Sequence, residues 1–181
     1  DASKSRGLGD VYKRQVIAVY GKMPKQFVPG HPIAGSEKSG VMAADACLFN
    51  DHRVILTPHP NTDEYHMLMV SELWSDAGAL VSKMNAAEHD EILAATSHLP
   101  HFLAYSLVDT LAGLGENREI FRYAAGGLRD FTRIAASDPI MWRDIALSNR
   151  ESVINRQHKV MLNFKTLRDA ISVGDENNLI D

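Results

Sequence analysis

Three short stretches carry residue types that chemistry needs. The first is GHPIAGSEKSG, Gly30 to Gly40, in which glycines and a proline surround His31, Ser36, Glu37 and Lys38. Gly30 and Gly35 have the spacing of the first half of a phosphate-binding loop. Ser36 and Glu37 follow, however, where a lysine and then a serine or threonine would have to meet the phosphates and Mg²⁺. A carboxylate there repels phosphate, which leaves a reactive loop around His31 or a plain surface turn. The second stretch, SHLPH, sets His98 and His101 three residues apart, neighbours on a helix face. Zinc would need a third ligand and a supporting acid, with Asp90 and Glu91 the candidates, as in a metal-dependent hydrolase. A polar patch beside a kink and a substrate contact are the other readings. The third, RDFTRIAASDPIMWRD from Arg129 to Asp144, holds three arginines, three aspartates and Trp142. It reads either as a salt-bridged surface or as a guanidinium, partly buried, that grips a carboxylate through two parallel hydrogen bonds. Trp142 would wall such a pocket or pack in the core.

These stretches must be positioned by the elements around them. RVILTP, Arg53 to Pro58, is a β-branched run stopped by proline, the pattern of a buried strand. Asn61 and Thr62 offer an N-cap, and Tyr65, Leu68, Met69, Leu73 and Trp74 follow at helical spacing until Gly78. ALVSKM, Ala79 to Met84, is the next strand, so strand, helix and strand make a βαβ unit with parallel strands. From Asn85 onward every periodic segment is helical. Asn85 and Glu88 have capping-box spacing, and the helix they start is interrupted near Pro100 and closed by Gly113 and Gly115. A glycine pair leads into a short helix, and Asp138 followed by Pro139 starts a last helix expected to run unbroken to Val173 and Gly174. On it Ile140, Leu147, Ile154 and Met161 recur every seven residues, a stripe that needs a partner. The first fifteen residues show no helix or strand period and no signal-peptide pattern, and are read as a ragged or non-native leader.

The bulk numbers narrow the function classes. With 181 residues, 45% hydrophobic and 23% charged, the composition is that of a globular protein of one or two domains. A net charge of −4 without a basic block gives no footprint for nucleic acid or a membrane surface. The single cysteine, Cys47, excludes an internal disulfide, and no apolar run has the length of a membrane span. A cytoplasmic protein of small-molecule chemistry is expected.

Taken together and in order, GHPIAGSEKSG, RVILTP, ATSHLPHFLAYSLVDTL and YAAGGLRDFTRIAASDPIMWRDI resemble the prephenate and arogenate dehydrogenases of tyrosine biosynthesis. The likeness runs from about Val16 to near Asp181. It implies α/β followed by all-α. Residues 16–85 would be the C-terminal remnant of a Rossmann-type domain for NAD or NADP, and residues 86–181 a helical domain that binds substrate and forms a homodimer. Residues 1–15 are unmatched. The implied reaction is oxidative decarboxylation of prephenate or arogenate.

The resemblance also assigns roles. His31 accepts the proton of the ring hydroxyl, a task suited to imidazole, whose ordinary pKa of ~6.5 leaves it mostly neutral near pH 7. Ser36 and Glu37 shape the substrate end of the pocket, with the loop's glycines turning tightly beneath substrate and nicotinamide. Ser97 and His101 bind substrate, Arg133 grips its carboxylate, Trp142 lies near that site and Asp90 supports the histidine helix; His98 is structural. No metal is implied. The family's glycine-rich pyrophosphate turn would lie upstream of residue 1, so cofactor-binding residues are unknown in this chain. Its serine-bearing segment near the nicotinamide, which orients the catalytic histidine, is not matched by DASKSRGLGDVYKRQ, and relatives run on beyond the C-terminus. The chain is therefore expected to be inactive and to bind neither nucleotide by itself. The alternative is a catalytically silent helical dimerisation module that retains the motifs by descent.

Overall fold

The computed structural model describes residues 9–35, 41–114 and 117–179. They form two compact units that meet in sequence at Ile92 and Leu93. In the first, α1 (Gly9–Tyr20) precedes a sheet of β1 (Gly30–Pro32), β2 (Arg53–Leu56) and β3 (Leu80–Lys83), in the order β1-β2-β3. Helix α2 (Glu64–Asp76) lies between β2 and β3, and α3 (Ala86–Leu93) follows β3.

β2 and β3 pair in parallel, so β2, α2 and β3 are the βαβ unit expected from the sequence. Val54 and Leu56 of β2 are fully buried and pack with Met67 of α2 and Ala79. Burying each of these two side chains stabilises the fold by about 1.5–3 kcal/mol. Phe49 and Trp74 close the edge of this core, edge to face with centroids 5.0 Å apart. Helix α2 ends as expected at Gly78, whose φ of +85° suits glycine and whose missing side chain leaves room for Asn50.

Four local expectations are corrected here. GHP is not a loop: β1 pairs antiparallel with β2, setting His31 opposite Ile55. Gly30 accordingly serves a close approach, since a Cβ there would come within 3.1 Å of Leu56 Cδ2 and 3.7 Å of Trp74 Nε1. The cap of α2 is Asp63, whose carboxylate accepts from Tyr65 N at 2.8 Å; Thr62 instead donates its hydroxyl to Phe27 O. The apolar row Tyr65, Leu68, Met69 and Leu73 faces outward, while Met67, Val70 and Trp74 face the sheet. Residues 9–15, expected to lack regular structure, begin α1.

The second unit opens with a π-helical turn, Ala94–His98, that leads into α4 (Leu99–Gly113). Leu99 N reaches back five residues to Ala94 O. The interruption expected at Pro100 thus takes the form of a widened turn just before it, where the ladder loses the donor that proline lacks. α5 (Asn117–Arg122), which no sequence signal marks, is followed by α6 (Gly126–Ala135), α7 (Pro139–Ser148) and α8 (Arg150–Val173). The glycine pair is the first turn of α6 rather than a link before it.

α4 and α6 pack together, and Tyr105 donates to Ser137 O at 2.7 Å, fixing the end of α6 against α4. Asp138 caps α7 as the Asp-Pro signal requires, accepting from Ile140 N at 2.8 Å. The single long helix expected from Pro139 is broken at Asn149, whose φ of −111° and ψ of 36° leave the helical region. Gly174, at φ +68°, ends α8 as expected. Among the described residues no helix is long and apolar enough to cross a membrane.

Candidate functional site

In the first unit β1 places His31 on the sheet face opposite the Val54 and Leu56 core, because paired residues share a face and His31 pairs with Ile55. Helix α3 meets that histidine. Its start is fixed by Asn85, whose Oδ1 accepts from Glu88 N at 2.8 Å and whose Nδ2 donates to Glu88 Oε2 at 3.3 Å. From that start the buried positions are Ala86, His89 and Leu93, one stripe of the helix. His89, only 1% exposed, sets Nε2 2.9 Å from His31 Nδ1, the rings crossing edge to face. Its other nitrogen, Nδ1, lies 2.8 Å from Asp90 Oδ1. His31, His89 and Asp90 form one polar chain ending in a carboxylate. Asp90, expected as a support, is thus joined to His31 through His89, a residue the sequence reading passed over. The signal that finds it is phase: a histidine on the buried stripe of a capped helix needs a polar partner.

The second unit holds a different constellation. His101, in the first turn of α4, directs Nδ1 to Ser97 O at 2.8 Å. A carbonyl only accepts, so that nitrogen carries the proton and Nε2 is the acceptor in the neutral ring. The carbonyl of Ser97 is therefore what orients His101. The imidazole stacks on Trp142 at 3.7 Å between centroids and 20° between planes, with Phe102 at the edge of the indole. Trp142 is 2% exposed, so it packs inside the unit, yet among the described residues its Nε1 has no hydrogen-bond partner. A buried, unpartnered donor beside an oriented imidazole is an arrangement that a ligand acceptor satisfies. His98, turned inward by the π turn, accepts from Asn149 Nδ2 at 3.3 Å.

Arg133, in the last turn of α6, is 53% exposed and pairs loosely with Asp130, Nε to Oδ1 3.8 Å. Its side chain is thus about half-buried, while Arg143 pairs on the surface with Asp144. Ser36 and Glu37 lie outside the described residues. Among the described residues no three His, Cys, Asp or Glu side chains gather as metal ligands.

Two family models match the chain: the prephenate dehydrogenase nucleotide-binding domain over residues 9–83 and the prephenate dehydrogenase dimerization domain over residues 85–181. The chain belongs to the prephenate dehydrogenase family. It is 40% identical over 157 residues to the cyclohexadienyl dehydrogenase of Zymomonas mobilis, covering 86% of this chain and 54% of that protein. It is 41% identical over 156 residues to the prephenate dehydrogenase of Bacillus subtilis, covering 85% and 42%. Among solved structures it is similar to prephenate dehydrogenase from A. aeolicus in complex with hydroxyphenyl propionate and NAD+, with TM-score 0.83, 41% identity and coverage of 92% of this chain and 58% of that one. Synechocystis arogenate dehydrogenase matches with TM-score 0.74 and 25% identity, over 85% and 56%. The chain thus spans about half the length of the Zymomonas mobilis and Bacillus subtilis relatives.

Proposed function

We propose that the protein containing this chain is an NAD(P)-dependent prephenate or arogenate dehydrogenase of the cytoplasm, and that these residues supply its proton acceptor and substrate contacts. The observation that carries the reading is His31, held on a sheet face by a second imidazole that is itself anchored to a carboxylate. In the reaction, the substrate's ring hydroxyl gives its proton to His31 and the hydrogen on the same carbon departs as hydride. The ring carboxylate leaves as carbon dioxide, and its bonding pair completes the aromatic ring. The nicotinamide nucleotide, when bound, takes up the hydride.

The parallel β2, α2, β3 unit suits a nucleotide-binding sheet. The N-terminus of α2 is not the pyrophosphate seat, because the carboxylate of Asp63 already occupies it. His101, Ser97 and Trp142 are read as substrate contacts, the indole N–H that has no partner among the described residues matching an anionic ligand. Arg133 is read as the grip on a substrate carboxylate, with Ser36 and Glu37 beside the ring. The hydroxyphenyl propionate and NAD+ held by the A. aeolicus relative support a phenol-bearing acid and a nicotinamide nucleotide as the occupants.

The assembly is read as a homodimer. Ile140 and Leu147 on α7 and Ile154 and Met161 on α8, which the break at Asn149 divides between two helices, are each 53–68% exposed, apolar side chains on the segment matching a dimerization domain. The test of the activity is prephenate-dependent, and separately arogenate-dependent, reduction of NAD and NADP by the protein as its gene encodes it. Turnover with either pair supports the reading, and reduction with none of the four overturns it. Sedimentation of the same protein as a dimer at tens of micromolar supports the assembly, and a monomer at that concentration removes it.

A further inference from the structure

We infer that His89 and Asp90 are positioning residues that set which nitrogen of His31 carries its proton. The inference rests on the reading of His31 as the proton acceptor and extends it to residues that never touch substrate. A carboxylate can only accept, so the 2.8 Å contact with Asp90 places a proton on His89 Nδ1. A neutral imidazole has one N–H, which makes His89 Nε2 an acceptor. The 2.9 Å contact between that atom and His31 Nδ1 then requires His31 to donate from Nδ1. The lone pair of His31 is left on Nε2, away from His89. With both rings neutral, one proton arrangement satisfies both contacts, and it is the one in which His31 is a base at its outer nitrogen.

Burial makes the arrangement firm. His89 is 1% exposed and the side chain of Asp90 14%, so water competes poorly for either bond. When His31 takes the hydroxyl proton at Nε2, its Nδ1–H bond to His89 becomes charge-assisted, with the carboxylate of Asp90 on the far side of the intervening ring. The three groups pass from a net negative charge to neutrality, so the carboxylate favours the protonated state of His31 that the reaction creates.

The amide and carboxylate forms of residue 90 separate this role from mere packing. In Asp90→Asn, with the amide nitrogen turned to the ring, the side chain donates to His89 Nδ1, which moves the His89 proton to Nε2. His89 then donates to His31 Nδ1, so that the His31 proton moves to Nε2 and blocks the base. The kcat of the protein as its gene encodes it should fall on the order of 10²-fold or more, the wrong-tautomer effect known where an orienting carboxylate becomes an amide, with little change in KM. In His89→Gln the side-chain oxygen still accepts from His31 Nδ1 without a carboxylate behind it, so kcat falls about 10-fold. The double variant should then be faster than Asp90→Asn alone, because glutamine does not transmit the identity of residue 90. Asp90→Glu, which keeps the carboxylate, should retain most of kcat.

The ring ¹⁵N spectrum of histidine-labelled protein reads the tautomer directly and needs no variant: His31 protonated on Nδ1 supports the inference, and protonated on Nε2 in the unmodified protein overturns it. If His31→Asn abolishes turnover while Asp90→Asn and Asp90→Ala both leave kcat and the His31 tautomer unchanged, the positioning role is lost and the base assignment stands. If His31→Asn leaves turnover intact, the base assignment fails and the positioning role falls with it.

Discussion

His31 and His98 are both held by another polar side chain, yet the two arrangements differ in what stands at the end. His31 leads through His89 to a carboxylate, whereas His98 meets the amide of Asn149. A carboxylate fixes proton positions along its chain and offsets a positive charge when one forms. An amide nitrogen donates one neutral bond, which sets a tautomer but offsets no charge. His101 is a third case, oriented by a backbone carbonyl and stacked flat on an indole, which suits it to contact a ligand. The residue type is the same in all three places, and its neighbours decide the chemistry.

The largest effect that bears on this contrast is at His31. His31→Asn in the protein as its gene encodes it should lower kcat by roughly 10²-fold or more with a smaller change in KM, the scale of a general base acting in the transition state. The sign of the pH dependence follows from the role. A base works only when unprotonated, so the wild-type rate should rise with pH through the ordinary range of histidine, and the variant should lose that limb. A variant that keeps the limb would move the titrating group elsewhere and break the contrast.

Arg133 comes next. It would hold a charge already present in the ground state, so Arg133→Gln should raise KM and spare kcat. Its half-exposed position and loose pairing with Asp130 put the loss at the low end for a charge-assisted bond, about 2 kcal/mol or roughly 30-fold in KM. The pair itself is a surface one, so thermal stability should change by less than about 1 kcal/mol. A large drop in melting temperature with KM unmoved would mean that Arg133 serves the fold and not the substrate.

What the sequence shows of this contrast depends on how local each signal is. Asn85 with Glu88, Asp138 with Pro139, and Gly174 each state a helix boundary within a few residues, and each holds in the structure. RVILTP and ALVSKM form their parallel strands because a β-branched run bounded by turns has little other use. β1 escapes notice because three residues are too few for a period, and its partner lies across a long loop. On α2 both faces are apolar at helical spacing, so periodicity cannot choose between Met67, Val70, Trp74 and the outward row that includes Leu68 and Leu73. Among the candidate residues of the two units, motif resemblance singles out His31, Asp90, His101, Arg133 and Trp142 but not the buried histidine that links the first two. His89 sits in the charged run EHDE, and only the phase set by Asn85 shows that it points inward.

The smallest effect is expected at Asn149, and it tests the amide side of the contrast. The sequence suggests one helix from Pro139 to Val173, and the break occurs where this side chain turns in to meet His98. Asn149 also serves both flanking helices through its backbone, since its N–H bonds to Ile145 O and its carbonyl accepts from Val153 N, each at 3.0 Å. Asn149→Ala keeps those backbone bonds and removes the donor to a buried imidazole. The expected loss is about 1–2 kcal/mol, the scale for depriving a buried group of a neutral hydrogen bond. For a chain of this size that lowers the melting temperature by about 2–8 °C. Because an amide stabilises no developing charge, kcat and its pH profile should stay as they are, in contrast to Asp90→Asn at the end of the other chain. Should Asn149→Ala shift the pH profile while leaving the melting temperature in place, His98 would belong to the proton chemistry, and the difference between an amide end and a carboxylate end would lose its meaning here.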